Sequence, residues 1–362
     1  MKVYHADLDE AQADPALAAL FAPGPGVTPF DRIDWLRLMA QECLTPTRTL
    51  IAVARDGAAM AALPLAVRAN GYGALANWYS FIARPRGTDP ARGTDPARGT
   101  DPARGTDPAR GTDPALLTAI VRSLTSVGAL SCAPLPEHEA VLLRDAARAA
   151  GWIAQLRHAD HNHVLPTAGS DFATWWARRP GPLRETVRRK LRKNAVTIRI
   201  ATTFDAADWD AYTAIYAQSW KPAESSPRFL RRFAQAESAA GRLRLGLASI
   251  AGVPVAAQFW TVEDGTAFIH KLAHDPAAAA HSPGTLLSHA MFAMAFDVDR
   301  VAMIDFGTGD DGYKRDWTDT IRPRYRLDAV YPRNPRRWPA LAKLLAGAVL
   351  RPGSLARPEP QQ

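Results

Sequence analysis

Cysteine is almost missing from this sequence. Only Cys43 and Cys132 occur among 362 residues, far apart and without a CxxC pair, so neither a disulfide framework nor a cysteine-ligated zinc site is expected. A reducing, cytoplasmic compartment fits such usage. Long apolar runs are missing too: the most apolar late stretch, Trp338 to Leu350, is shorter than the roughly 20 residues that span a bilayer, and Lys343 interrupts it. No integral membrane segment is expected, and the opening MKVYHADLDEAQADPALAAL lacks the apolar centre of a signal peptide. Negative charge is in deficit, with 36 Asp and Glu against 44 Lys and Arg and a net charge of +8. That surplus favours an anionic partner, whether coenzyme A, a nucleotide-sugar, tRNA or a membrane face contacted peripherally. Nothing points to DNA.

What is present is ample core material, 47% apolar residues, in a chain whose length suits two domains of ordinary size. The first is expected over residues 1–166. Val3 to Ala6 reads as a strand and Asp31 to Leu44 as an amphipathic helix. Three strand-like runs follow, Thr49 to Arg55, Met60 to Arg68 and Ala74 to Ile82, parted by Asp56-Gly57 and Asn70-Gly71 turns. Pro114 to Val127 and Glu137 to Ala150 read as helices, and Ala129 to Ala133 and Trp152 to Leu165 as strands.

Into this domain the hexapeptide GTDPAR is inserted four times in full from Gly87 to Arg110, with a fifth copy cut short at Gly111 to Ala115. The period is too short for a helical solenoid, and a proline in every copy removes an amide that a helix or ladder would use. Residues 87–115 are expected to be a disordered surface insert. His158, His161 and His163, two or three apart near a strand end, invite a metal reading, but no Cys or Glu joins them. A polar strand end is preferred and no metal is expected.

The second domain is expected over residues 167–335, followed by a short helix and a Pro/Arg-rich tail over 336–362. Leu183 to Asn194 spells a strongly basic helix, with Arg184, Arg188, Arg189, Lys190, Arg192 and Lys193 offset only by Glu185; like charges so crowded would be relieved by a partner anion. Two helices follow, Ala206 to Ser219 and Arg228 to Ala240. The aromatics Trp209, Tyr212 and Tyr216 of the first suit core better than a substrate platform, while Trp220 suits a cleft wall. Leu243 to Ile250, Val255 to Val262 and Thr266 to Ala273 read as an antiparallel meander. Strict alternation would set Phe268, His270 and Leu272 on one face, and Ile269, Lys271 and Ala273 on the other.

Two stretches then carry chemistry. In HSPGTLL, His281 to Leu287, Ser282 suits an N-cap, Pro283 the first helical position, and Gly284 and Thr285 offer open amides, so the helix start is an anion site by construction. In VAMIDFGTGDDGYKRDW, Val301 to Trp317, a buried strand empties into a loop of Gly307, Thr308, Gly309, Asp310, Asp311 and Gly312, then a helix bearing Tyr313, Lys314 and Trp317. The glycines let backbone amides approach a ligand, and a phenol beside an ammonium supplies proton transfer and charge compensation.

These stretches, in this order, resemble the acyltransferase domain of Fem-like and CelD-like proteins of the GNAT superfamily, whose motifs read SPG-x-LL and DFG-x-GDD-x-YK-x-x-W. The resemblance covers roughly Leu183 to Tyr331 and reaches the first half more faintly. It implies an α+β fold of two tandem GNAT-like domains, the N-terminal one degenerate, and transfer of an acyl group, most simply acetyl from acetyl-CoA, to an amine or hydroxyl of a cell-envelope or exopolysaccharide precursor. In that reading Ser282, Gly284, Thr285 and Leu286 hold the donor. Lys314 stabilises the oxyanion, Tyr313 is a candidate acid, and His270 or Lys271 lies near the chemistry. Asp305, Asp310, Asp311, Trp220, Arg188 and Arg192 contact substrate. Family tyrosines are replaced by His270 and His274, and the Q/R-x-x-G-x-G/A pyrophosphate run common in acetyl-CoA enzymes is replaced by Ala279, Ala280, His281, Ser282, Pro283. The thinner cradle leaves room for an aminoacyl-tRNA donor, as in Fem-like relatives, and a non-catalytic accessory protein is the third alternative. Plain roles compete as well: Trp317 and Tyr313 as packing, Asp310 as an N-cap, His270 as a hydrogen-bonded core residue.

Overall fold

The structure, a computed structural model, describes residues 1–88, 112–167 and 169–350, without the side chains of 347–350. The interior of the GTDPAR insert and the Pro/Arg-rich tail lie outside the described residues. The chain packs as two compact units, Met1–His161 with the chain from Arg322 onward, and Asn162–Ile321. Residues 322–335, expected in the second domain, therefore fall in the first unit.

The first unit opens with β1 (Lys2–Ala6), α1 (Leu8–Ala13), α2 (Pro15–Leu20) and α3 (Ile33–Cys43). The meander β2 (Thr49–Asp56), β3 (Ala59–Arg68), β4 (Gly71–Ala74) follows, with a two-residue β5 (Arg86–Gly87). Then come α4 (Pro114–Ser123), β6 (Ala129–Leu135), α5 (Glu137–Ala149) and β7 (Ile153–Pro166), whose last residues belong to the second unit. Carboxylates start three of these helices: Asp7 forms a capping box with Glu10 at α1, Asp14 caps α2 and Asp113 caps α4. β1 to β4 are antiparallel neighbours in order, and β4 joins β6 in parallel at Tyr72↔Leu130 and Gly73↔Ser131. The core gathers Leu50, Leu63, Leu65, Leu117, Ile120 and Leu143 between sheet and helices. A buried ion cluster sits beside it: Arg84 donates to Asp31 at 2.9 and 2.6 Å and to Glu139 at 3.3 Å. Arg84 holds the Asp31 carboxyl down at about 2 despite its burial.

The apolar run expected as a strand over Ala74 to Ile82 is one only at its first residue. Leu75 adds one more bond to β3, its amide donating to the Pro64 carbonyl at 3.1 Å, and the chain then turns at residues 77–80, leaving Trp78 half exposed while Tyr79, Phe81 and Ile82 are buried by side-chain packing outside the ladder. α4 likewise ends at Ser123, four residues short of its expected end.

The second unit holds α6 (Phe172–Ala177), α7 (Gly181–Lys193), β8 (Thr197–Ala201), α8 (Ala206–Gln218), α9 (Pro227–Ala239), β9 (Leu243–Ile250), β10 (Val253–Glu263), β11 (Thr266–His274), α10 (Pro283–Ala293) and β12 (Met303–Thr308). The chain closes with β13 (Thr320–Val330), most of it in the first unit, and α11 (Trp338–Leu350). β8, β9, β10 and β11 are antiparallel neighbours, β11 joins β12 in parallel, and β12 pairs antiparallel with the end of β7. From Val255 to Thr261, β10 is buried on both faces. Phe259 meets Trp209 of α8 and Phe233 of α9, while Trp260 meets Phe292 of α10. Trp175, Phe292 and Trp317 stack at 4.8–6.2 Å between ring centres and fasten α6, α10 and the turn after β12 together. Trp317 is thus a core residue.

Both units run in the same order: a strand, helices, a three-stranded antiparallel meander, a helix, then a strand parallel to the last of the meander. The fold is α+β, with tandem copies of one plan, as the resemblance implied.

Candidate active site

Within the second unit β10 and β11 stay paired along their whole length, from Glu263↔Thr266 to Ala256↔His274. β12 pairs with β11 only at Thr266↔Met303, Ala267↔Ile304 and Phe268↔Asp305. Beyond Phe268 the two parallel strands part, and the second half of β11 has an edge that β12 does not occupy. Gly307 (φ 68°) and Gly309 (φ 97°) turn β12 away, a backbone that side chains rarely adopt.

The far end of that edge, His274, lies beside the start of α10: a Cβ on Gly284 would sit 3.3 Å from His274 Nδ1. Trp220 packs on the other side of the His274 ring, 4.6 Å between centres, while its own side chain is largely exposed. Ser282 does not cap the helix with its side chain, contrary to the sequence expectation. It sits in the left-handed region (φ 52°, ψ 45°), and no side-chain hydrogen bond closes the first turn. Such a conformation costs about 1 kcal/mol or more in a non-glycine residue and is kept where surroundings impose it. The first-turn amides at Gly284 and Thr285 are therefore uncapped. The matching helix of the first unit, α4, is closed by the Asp113 carboxylate, which accepts from the Ala115 amide at 2.7 Å. An anion is repelled there and attracted at α10. Leu286 is buried in the core, so only its backbone can meet a ligand. The basic helix α7 reaches the same turn, where Lys190 Nζ donates to the Ala280 carbonyl. Arg188 and Arg192 project to solvent, Arg188 paired with Glu185.

Strict alternation fails on β11. The register jumps from Phe259↔Lys271 to Trp260↔Ile269, so His270 is the extra residue of a bulge, and His270 and Lys271 both turn toward the α8–α9 layer. His270 Nε2 is 2.8 Å from Thr261 Oγ1, and its ring packs on Phe233 and Phe259. Lys271 Nζ pairs with Glu224 at 2.7 Å, both side chains about one-tenth exposed, and lies 5.2 Å from the Tyr216 ring centre. Burial and Glu224 together push the Tyr216 phenol up to about 12.

Here lies a cavity of about 270 Å³ lined by Trp209, Tyr212, Tyr216, Lys221, Glu224 and Leu230, among others. The α8 aromatics are core residues on one side and cavity wall on the other. Burial, then the neighbouring Lys271 charge, brings the Lys221 ammonium down to about 8.

The loop after β12 is tied from within. Asp305 Oδ1 accepts from Asn162 Nδ2 and from the Gly307 amide, each at 2.7 Å. Asp310 bridges His163 Nε2 (2.9 Å) and Arg315 (2.8 Å), and His163 Nδ1 meets Thr318 Oγ1 at 3.2 Å. Asp310 is thus not an N-cap: the turn that follows, Gly312–Asp316, is a single 3₁₀ segment rather than the expected α-helix. Lys314 is buried, donating to the carbonyls of Thr308 at 2.7 Å and Gly309 at 2.9 Å, with the Asp311 carboxylate at 3.8 Å. Desolvation, with Asp311 nearby, raises the Tyr313 phenol above its usual range. It stays protonated at neutral pH.

The structure brings Lys271, Asp311 and Lys314 into electrostatic reach of Lys221, and His274 to Gly284. It leaves Arg188 and Arg192 on an open helix face. Sequence reasoning missed Lys221, Glu224 and Thr261, and weighed His163 only as a metal ligand or a polar strand end. Only Lys221 carried a signal, as a lysine fixed by Pro222 after an aromatic helix. Among the described residues no cluster of His, Cys, Asp or Glu is set to hold a metal ion, and no helix is long and apolar enough to cross a membrane.

Residues 181–315 match the family model of an acetyltransferase (GNAT) domain. Among curated proteins none is similar enough in sequence to count as a match. Solved structures share the fold at low identity. FemX superposes with a TM-score of 0.56 at 11% identity, over 91% of this chain and 97% of that one. A tandem GNAT protein from the clavulanic acid biosynthesis pathway gives 0.51 at 13%, over 91% and 98%. L-PGS from Bacillus licheniformis gives 0.51 at 10%, over 91% and 99%. The chain carries a GNAT acetyltransferase domain on a tandem GNAT-like fold, and is an enzyme of acyl transfer.

Proposed function

We propose that the Asn162–Ile321 unit moves an acetyl group from acetyl-CoA to the amine or hydroxyl of a small acceptor, and that the acceptor is a cytoplasmic precursor of cell envelope or exopolysaccharide. The observation that carries the donor assignment is the parting of β11 from β12 with its open end at the uncapped start of α10. A free strand edge pairs with the amides of a pantetheine arm, and helix amides at Gly284 and Thr285 take a pyrophosphate. The Ser282 hydroxyl, not spent on a cap, is free to join them.

The acceptor is assigned to the cavity at Lys221, Glu224 and Tyr216, whose roughly 270 Å³ suits a small molecule or the end of a sugar or peptide. Neutral Lys221 takes the proton from the acceptor, whose nitrogen or oxygen attacks the thioester carbonyl; the C–S bond then breaks and the thiolate takes a proton from Tyr313. Lys271, held by Glu224, adds positive charge beside the developing oxyanion. Lys314 is a positioning residue, fixing the loop that carries Asp311 and Tyr313. Asp305 and Asp310 serve the same loop.

A second reading, an aminoacyl-tRNA donor, is favoured by one contact: Lys190 ties the basic helix to the turn before α10, and the outer face of that helix presents Arg188 and Arg192 to solvent, open to a large polyanion. Calorimetry with acetyl-CoA, coenzyme A and aminoacyl-tRNA in turn separates the two. For the first, coenzyme A binds and Gly284→Val abolishes it, since the added side chain crowds the amides and the His274 ring. If coenzyme A fails to bind even at high concentration while tRNA binds, and Arg188→Glu with Arg192→Glu flattens the salt dependence, the first reading is wrong.

A further inference from the structure

The acyl-transfer site makes no use of α11 or the turn before it. From Ala329 to Pro358 the chain contains no Asp or Glu, yet it has Arg333, Arg336, Arg337, Lys343, Arg351 and Arg357. α11 itself reads WPALAKLLAGAVL, 13 residues, which at about 1.5 Å per residue reaches only part-way across a bilayer core. Helical spacing aligns Trp338, Ala342 and Leu345 on one stripe. That stripe faces out: Trp338 is 59% and Leu345 45% exposed, whereas Leu344, one position round, is 7% exposed. Trp338 Nε1 donates to the Pro332 carbonyl at 3.1 Å, fixing the indole while its ring stays open to solvent. Arg333 and Arg336 are exposed just before the helix, and Lys343 is exposed on its flank.

We propose that α11 is an interfacial anchor that lies in the plane of an anionic lipid bilayer, with Trp338 and Leu345 among the acyl chains and Arg333, Arg336 and Lys343 at the lipid phosphates. An exposed apolar stripe bordered by cations, on a helix too short to span, is the pattern that partitions into such a surface. An RNA partner would use the arginines but offers nothing to Leu345. Lys343, about 140° round the helix from Trp338, stands on the side away from the acyl chains, where the headgroups lie.

The test is co-sedimentation of the full chain with vesicles of phosphatidylcholine, with and without phosphatidylglycerol. Binding is expected on phosphatidylglycerol vesicles and to fall sharply on phosphatidylcholine alone. Trp338→Ala and Leu345→Ser should each weaken partitioning about tenfold or more, and Arg333→Gln with Arg336→Gln roughly fivefold per arginine, all with unchanged melting because these side chains are exposed. No binding to phosphatidylglycerol vesicles would overturn the proposal. So would binding that survives the Trp338 and Leu345 variants, whether lost with Arg188→Glu and Arg192→Glu or displaced by tRNA; the surface would then be purely electrostatic.

Discussion

Replacing Lys314 by alanine tests whether its ammonium serves the loop or the reaction. Its Nζ makes two charge-assisted bonds, to the Thr308 and Gly309 carbonyls at 2.7 and 2.9 Å, and the side chain is only 4% exposed. Bonds to a charged group contribute about 1.5–3 kcal/mol each. Thr308 and Gly309 are half-buried, so water recovers part of that loss when the lysine goes. A cost of about 2–4 kcal/mol remains, which for a unit of this size lowers the melting midpoint by about 5–15 °C. Lys314→Met, which keeps the methylene stem and drops only the charge, should lose nearly as much. Denaturant unfolding followed by tryptophan fluorescence reads the stability, and amide exchange at 308–311 reads the loop directly. Turnover should fall along with loop protection, because Asp311 and Tyr313 ride on the same segment. Wild-type unfolding midpoints in both variants, with turnover lost by orders of magnitude, would refute this and return Lys314 to the oxyanion itself.

Lys221 gives a pH signature. Its folded pKa of about 8 lies below the ordinary 10.5, so between those values the unfolded chain holds a proton that the folded chain has released. Stability from this group rises with pH across that window, and its penalty is complete below pH 8. Lys221→Met should therefore be more stable than wild type at pH 7, with the gain shrinking from pH 8 to 10.5; a gain independent of pH would show that the lysine titrates normally. In the first unit, deleting Gly93 to Arg110 removes three whole copies of the hexapeptide and should leave the melting temperature and turnover unchanged, since shortening a loop changes its closure cost by only about 1 kcal/mol. A midpoint lower by more than a few degrees would mean that the removed copies are packed.

The meander β9–β11 and the helices α8 and α9 were legible to within a residue or two, because alternation, helical spacing and Gly-bearing turns all agree there. The bulge at His270 was not. It lies in a strand that is apolar on both faces, where an extra residue leaves no mark in the pattern, yet it alone puts His270 and Lys271 on one side. Ser282 misled for another reason: cap preference is a local tendency, and here the 3₁₀ turn Pro276–His281 delivers the chain in a left-handed conformation in which the hydroxyl makes no cap bond. Lys221 and Glu224 were hidden because a cavity is a long-range product; their loop meets Lys271 only once β11 is laid beside α8. The repeat was the most conspicuous feature of the sequence, and its meaning lies at its two ends. Gly87 of the first copy pairs with Ala61 on β3, and Thr88 exchanges bonds with Met60. In the fifth copy Asp113 caps α4 and Pro114 begins it. A Cβ on Gly87 would lie 2.9 Å from Thr112 Cα, so the two ends stand nearly as close as sequential residues, whose Cα atoms are about 3.8 Å apart. One Gly-Thr-Asp-Pro-Ala segment therefore suffices to carry the chain from β5 into α4, and every further copy adds length between points that already touch.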